Sequence, residues 1–297
     1  MRNLIVGTRG SKLALTQTNW VVRQLKAVNA ELEIEVKIIK TKGDMILDKA
    51  LDKIGDKGLF VKEIESELIK GNIDFAVHSM KDMPTENPEG LVFAKIPKRE
   101  DNRDALVLKK GYKSLDDIPF GGKLGTGSKR RVYQIKSLRP DIECIPVRGN
   151  IETRMGKIES ENLDGVILAA AGLIRNGHED KISEYLDPKV FIPAPAQGAL
   201  GIQYKEKDLE VEKLLNSISH EESTLTTYVE REFLKNVEGS CHLPVGAYCF
   251  IENNCVNLKV LFGDEDGEKL VNISGKESID KYKTLGKSMA IKVLEEM

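Results

Sequence analysis

Leu4-Ile5-Val6-Gly7-Thr8-Arg9-Gly10-Ser11, near the start of the chain, decides how the rest is read. Leu4 to Val6 is a short uninterrupted apolar run, the pattern of a strand covered on both faces. Gly7 to Ser11 is small and polar and reads as a loop. From Ser11 to Asn29 the residues Ala14, Thr18, Val21, Val22, Leu25 and Val28 recur at helical spacing, and Ile34 to Ile39 returns to a strand. A strand, a helix and a second strand in succession predict a parallel crossover. The rhythm continues. Phe60, Ile64 and Leu68 mark a second helix with Gly71 at its C-terminal cap, and Phe75-Ala76-Val77 is the next strand.

The pattern resumes after the charged stretch Lys98 to Arg103, which marks a first boundary. Ala105 to Leu108, Ile142 to Val147 and Val166 to Ala170 read as strands. Helices are expected from Ser128 to about Leu138 and from near Asn150. Phe191-Ile192-Pro193-Ala194-Pro195 marks a second boundary. Beyond it the character changes: Leu225, Val229 and Phe233 give a helix, and Val245 to Ile251 a strand. Val256, Leu258, Val260 and Phe262 alternate with polar residues, Asp264 to Gly267 is a turn, and Leu270 to Ile273 comes back before a last helix. The fold class is α/β: two lobes built on largely parallel sheets, then a small C-terminal α+β domain.

A chain of 297 residues is too long for one small core. With 45 basic and 47 acidic residues the formal charge is −2, so no global field steers nucleic acid or an anionic membrane toward it, and any anion site must be local. No signal peptide or spanning segment is read, and the four cysteines, Cys144, Cys241, Cys249 and Cys255, have no zinc-type spacing. No metal is expected, and the cytoplasm is the expected location.

Two segments share one layout of strand, small polar loop and helix: Val6 to Ser11, and Gly125-Thr126-Gly127-Ser128-Lys129-Arg130-Arg131. Helix N-termini carry unpaired N–H groups and a positive dipole end, which favour an anion. Cations in the first turn oppose the dipole, so a bound anion would explain them. Plain N-caps with solvated arginines are the other reading. Arg148 ends a strand and Arg154 lies in the first turns of the next helix, at the end of the sheet where such folds bind ligands. Arginine forks suit carboxylates, so the expected ligand carries several carboxylates or phosphates. Lys81-Asp82, just past the strand Phe75 to Val77, is placed for chemistry or for a turn. Lys49, Lys53 and Lys57, among glycines, face either an anion or solvent. Cys241, in Glu238-Gly239-Ser240-Cys241-His242, is either an accessible thiol or a small buried hydrophobe.

Taken in order, Thr8-Arg9-Gly10-Ser11-Lys12-Leu13-Ala14-Leu15 with Gln17, Lys57-Gly58-Leu59-Phe60, His78-Ser79-Met80-Lys81-Asp82, Gly125-Thr126 with Ser128, Arg130 and Arg131, Arg148-Gly149-Asn150 with Thr153-Arg154, Ala194 to Leu200, and Glu238-Gly239 with Cys241, Pro244 and Gly246 resemble the porphobilinogen deaminase family over nearly the whole chain. The resemblance implies a monomer of three domains: residues 1–98 with 196–217, residues 99–195, and residues 218–297. The first two are similar to the lobes of periplasmic binding proteins. It implies condensation of four porphobilinogen molecules into the linear tetrapyrrole hydroxymethylbilane, with release of ammonia and hand-over to uroporphyrinogen-III synthase. A dipyrromethane primer would sit on Cys241 through a thioether and be held by Lys81, Asp82, Thr126, Ser128, Arg130 and Arg131. Asp82 would be the catalytic carboxylate. Arg9, Ser11, Gln17, Arg148, Arg154, Lys53, Lys57 and Phe60 would meet the substrate, the two lysines from a lid. Departures from the family's pattern are Gly127, Lys129, Ser240, His242 and Gln203, the last standing where an acid is usual.

Overall fold

The computed structural model describes residues 3–41, 61–237, 243–267 and 269–297. The chain forms two compact units, Met1–Glu100 with Ala199–Thr227 and Asp101–Gly198 with Tyr228–Met297. Elements are numbered along the whole chain, among the described residues.

Unit 1 contains β1 (Leu4–Thr8), α1 (Lys12–Val28), β2 (Ile34–Ile38), α2 (Lys62–Lys70), β3 (Phe75–Ser79) and β4 (Leu91–Phe93). Unit 2 contributes β5 (Asp104–Leu108), β6 (Lys123–Gly125), α3 (Lys129–Leu138), β7 (Glu143–Ile145), α4 (Ile151–Ser160), β8 (Gly165–Ala169), α5 (Ala170–Arg175) and β9 (Glu184–Tyr185). The chain then returns to unit 1 for β10 (Leu200–Lys205) and α6 (Leu209–Asn216). Sheet one has the order β2-β1-β3-β10-β4 and sheet two the order β7-β6-β8-β5-β9.

The sequence predicts largely parallel sheets, and in each sheet four of the five strands do run the same way, with one antiparallel strand among them. β1 is parallel to β2 and β3, but β10 is antiparallel to β3 and β4. In unit 2, β6 is parallel to β7 and β8, while β5 is antiparallel to β8 and β9. The antiparallel strand in each sheet is the first one laid down after the chain comes from the other unit, so no helical crossover fixes its direction.

Both faces of sheet one are covered, which is why its strands read as continuous apolar runs. Val21 and Leu25 of α1 pack with Val6, Phe75, Val77 and Ile202 on one side. Ile64 and Leu68 of α2 pack with Ile39, Ile73 and Ala76 on the other. Val28, expected on the buried face of α1, is 56% exposed because the helix ends there, capped by Asn29. Gly71 closes α2 at φ 77°, a left-handed C-cap that costs glycine little.

The C-terminal part of unit 2 follows α7 (Glu221–Asn236), which begins in unit 1. It is a meander of β11 (Val245–Glu252), β12 (Cys255–Gly263) and β13 (Leu270–Ser278), closed by α8 (Tyr282–Glu296). Leu285, Met289, Ala290 and Val293 of α8 are buried. A Cβ on Gly286 would lie 2.5 Å from the Val229 carbonyl, so only glycine lets α8 cross α7 this closely.

Candidate functional site

In unit 1 the loop after β1 and the one-turn helix Met80–Asp82 after β3 follow the C-terminal ends of parallel strands. Ser11 is the N-cap of α1, its hydroxyl accepting from Ala14 N at 3.3 Å. Arg9 is half-buried. Gln17, buried on α1, donates through Nε2 to Ser79 Oγ at 2.9 Å and ties that helix to the end of β3. Buried Met80 and Met83 anchor the turn and leave Lys81 half-buried and Asp82 exposed. The structure therefore brings Arg9, Ser11, Gln17, Lys81 and Asp82 to one edge of sheet one.

Beneath that edge His78 is buried on β3, opposite Gly201 of β10. Burial pushes its pKa down to about 4, with the neighbouring Gln203 amide pulling the other way and the Arg9 charge adding to the drop. Gln203 is fully buried and donates to Glu65 Oε1 at 3.1 Å. His78 is thus held neutral in a polar seam of the core.

In unit 2 the loop after β6 supplies Thr126 and Ser128, and the segment after β7 supplies Arg148 and Arg154. β6 and β7 are parallel neighbours, so these four residues share an edge of sheet two. Thr126 is buried, its N–H bonded to the Ile145 carbonyl at 2.9 Å and its Oγ1 accepting from Ser128 N at 3.3 Å. Ser128 holds the N-cap position of α3 without a side-chain capping bond, unlike Ser11. Arg148 is exposed, and Arg154 Nε donates to Gly149 O at 2.8 Å.

Arg130 and Arg131 turn inward. They are 5% and 6% exposed and share Asp104, at the start of β5, which is fully buried. Arg130 Nη1 donates to Asp104 Oδ2 at 2.7 Å and to Ile192 O at 2.6 Å. Arg131 gives Nε (3.0 Å) and Nη2 (2.7 Å) to Asp104 Oδ1, and Nη1 to Ile167 O at 2.9 Å. Burial alone would raise the Asp104 pKa; the two guanidinium charges and their hydrogen bonds overcome it and hold the carboxyl far below the usual range. An internal carboxylate thus answers Arg130 and Arg131. Sequence reading missed Asp104, although a carboxylate at the mouth of the buried run Ala105–Leu108 was a signal that it needs an internal partner. It also missed the buried Gln197 and Glu230. Cys241, Lys53, Lys57 and Phe60 lie outside the described residues.

Comparison with known proteins decides the family. Residues 4–213 match the porphobilinogen deaminase dipyrromethane cofactor binding domain, and residues 224–295 the porphobilinogen deaminase C-terminal domain. The chain belongs to the porphobilinogen deaminase family. It is 53% identical over 294 residues to the porphobilinogen deaminase of Clostridioides difficile strain 630, covering 99% of this chain and 98% of that one. Against that of Clostridium novyi strain NT it is 50% identical over 297 residues, covering 99% of each. Among solved structures, the second substrate-binding domain of an amino acid ABC transporter from Streptococcus pneumoniae aligns with a TM-score of 0.46 at 11% identity, over 73% of this chain and 91% of that one. As a porphobilinogen deaminase the chain is a transferase, a hydroxymethylbilane synthase of tetrapyrrole biosynthesis. It joins four porphobilinogen molecules stepwise, with loss of ammonia, on a dipyrromethane cofactor.

Proposed function

We propose that Asp82 is the catalytic carboxylate of this reaction and that Cys241 carries the dipyrromethane through a thioether. The observation that carries the first part is the exposed Asp82 beside half-buried Lys81, on a turn anchored by Met80 and Met83 and tied through Ser79 to Gln17. A fixed carboxylate there suits stabilisation of positive charge on a pyrrole nitrogen and transfer of a proton as ammonia leaves. The residues assigned to the cofactor are Lys81, Asp82, Thr126, Ser128, Arg130 and Arg131. Those assigned to the substrate are Arg9, Ser11, Gln17, Arg148, Arg154, Lys53, Lys57 and Phe60. The donor chemistry fits: guanidinium forks and hydroxyls suit the acetate and propionate of each pyrrole. When bound, the cofactor supplies the pyrrole terminus onto which each new unit is joined.

The domain reading is residues 1–98 with 196–217, 99–195 and 218–297; the separate meander β11–β13 supports the last of these. The working form is a monomer in the cytoplasm, its product passing to uroporphyrinogen-III synthase; no described helix is long and apolar enough to cross a membrane. The test is the intact mass of denatured protein beside Cys241→Ser. An excess of two pyrrole units mapping to the Cys241 peptide, and missing from the variant, is expected. The same excess on the variant overturns the attachment.

A further inference from the structure

The segment Ala194-Pro195-Ala196-Gln197 of unit 2 is a tight turn, with Gln197 N bonded to Ala194 O at 3.0 Å. Its third residue, Ala196, has φ 61°. Proline in the second position and positive φ in the third are the features of a type II turn, where glycine or asparagine normally takes the third place. Alanine there is strained and persists only where its surroundings impose it. The competing type I turn has negative φ at that residue and differs by a flip of the peptide between the second and third positions. The N–H of that peptide is Ala196 N, and it donates to Glu230 Oε2 at 2.7 Å. Glu230, on α7, is fully buried, and its other oxygen accepts from Cys249 N of β11 at 2.9 Å.

What the turn aims is Gln197. Its fully buried amide Nε2 donates to Asn102 O at 2.9 Å, Arg103 O at 3.2 Å and Asp104 Oδ1 at 3.1 Å. That last oxygen is the one that holds Arg131. Upstream the segment is pinned independently: Ala247 N donates to Pro193 O, and Gln134 exchanges bonds with the Ile192 backbone. A flip would turn only the peptide between Pro195 and Ala196, so what the bond to Glu230 adds is a tether on the turn, one residue from Gln197.

We infer that Glu230 is a positioning residue for the arginine pair: by accepting the Ala196 N–H it ties the strained turn to α7 and β11, which holds Gln197 on Asp104 and so fixes Arg130 and Arg131. The inference rests on the reading of those arginines as holders of the cofactor's carboxylates: a cofactor held out of place meets incoming porphobilinogen less well, which is read as a raised KM. Glutamine at 230 keeps the volume but offers one acceptor oxygen for two N–H groups. Glycine at 196 takes positive φ without strain and needs no carboxylate to hold the turn.

The experiment is steady-state turnover of porphobilinogen by holoenzyme, its cofactor checked by mass and its folding by thermal unfolding. Glu230→Gln is expected to raise KM about tenfold with a smaller change in kcat, and adding Ala196→Gly to bring KM back to within about twofold of wild type. A merely structural role lowers Tm without moving KM; an unchanged KM in Glu230→Gln, or a raised one that glycine does not restore, overturns the inference. Should Glu230→Gln not fold, Gln197→Met carries the test, with a raised KM expected and a wild-type KM overturning it. Arg131→Lys separates the two levels. A normal KM in that variant removes the reading of the arginines, whereas a raised KM there with a normal one in Glu230→Gln removes only the role of Glu230.

Discussion

Residue by residue, the two five-stranded sheets can be laid over each other through their register. In sheet one the antiparallel strand β10 begins with Leu200 opposite Ser79, the last residue of β3; in sheet two β5 begins with Asp104 opposite Ala169, the last residue of β8. The same place in the topology holds a buried leucine in one sheet and a buried carboxylate in the other. Counting on from the strand ends, Met80-Lys81-Asp82 stands in unit 1 where Ala170-Ala171-Gly172 stands in unit 2. One backbone plan therefore disposes charge in two ways. Unit 1 puts its carboxylate outside, on a turn, where it can meet a reacting molecule. Unit 2 puts its carboxylate inside, where it draws in two arginines and fixes them. A buried ion triad of this kind gives orientation at a desolvation cost, since two guanidinium groups and a carboxylate leave water together.

The largest expected effect is on turnover. Asp82→Ala should lower the rate by about 10²–10⁴-fold while leaving the thermal unfolding midpoint where it was, because the side chain is exposed. Turnover near the wild-type rate would erase the functional half of the comparison. Asp104→Ala should do the reverse, costing about 3–5 kcal/mol of stability by stranding buried arginines, measured by urea unfolding. A loss under about 1 kcal/mol, the worth of a solvated ion pair, would mean that the triad is not buried in solution.

His78 sharpens the contrast, because its counterpart in sheet two is the buried Leu168. In the unfolded chain a histidine takes up its proton near pH 6.5; in the fold His78 does so only near about 4. The unfolded state therefore binds more protons in that window, and stability falls as pH drops from 6.5 to 4, by on the order of 3 kcal/mol in total. Unfolding midpoints at pH 7 and pH 4.5 should differ less in His78→Gln than in wild type; equal differences would show that another group sets the acid limit. The smallest effect concerns the caps. Ser11→Ala should cost roughly 0.5–1 kcal/mol, whereas Ser128→Ala, with no capping bond to lose, should be nearly neutral in a denaturant melt.

Local chemistry settled much of this in advance. The runs Leu4–Val6, Phe75–Val77 and Val166–Leu168 read as buried strands, Gly71 sits where a helix C-cap belongs, and Ser11 and Asn150 cap helices as their side chains allow. The turn bearing Lys81 and Asp82 was legible too, because a polar stretch after a buried strand has to emerge at the strand's end. Strand direction was not: β10 and β5 pair with partners far away along the chain, and neither periodicity nor composition records which way a strand enters a sheet. Nor could the sequence tell that Arg130 and Arg131 point inward. Both readings, solvated or anion-bound, satisfy the local pattern, and the choice was made by Asp104, 26 residues before the first of them, whose buried carboxylate needs partners. Ala196 is the plainest case. Its neighbours permit either turn, and it is the carboxylate of Glu230, 34 residues away, that leaves only one N–H direction with a hydrogen bond.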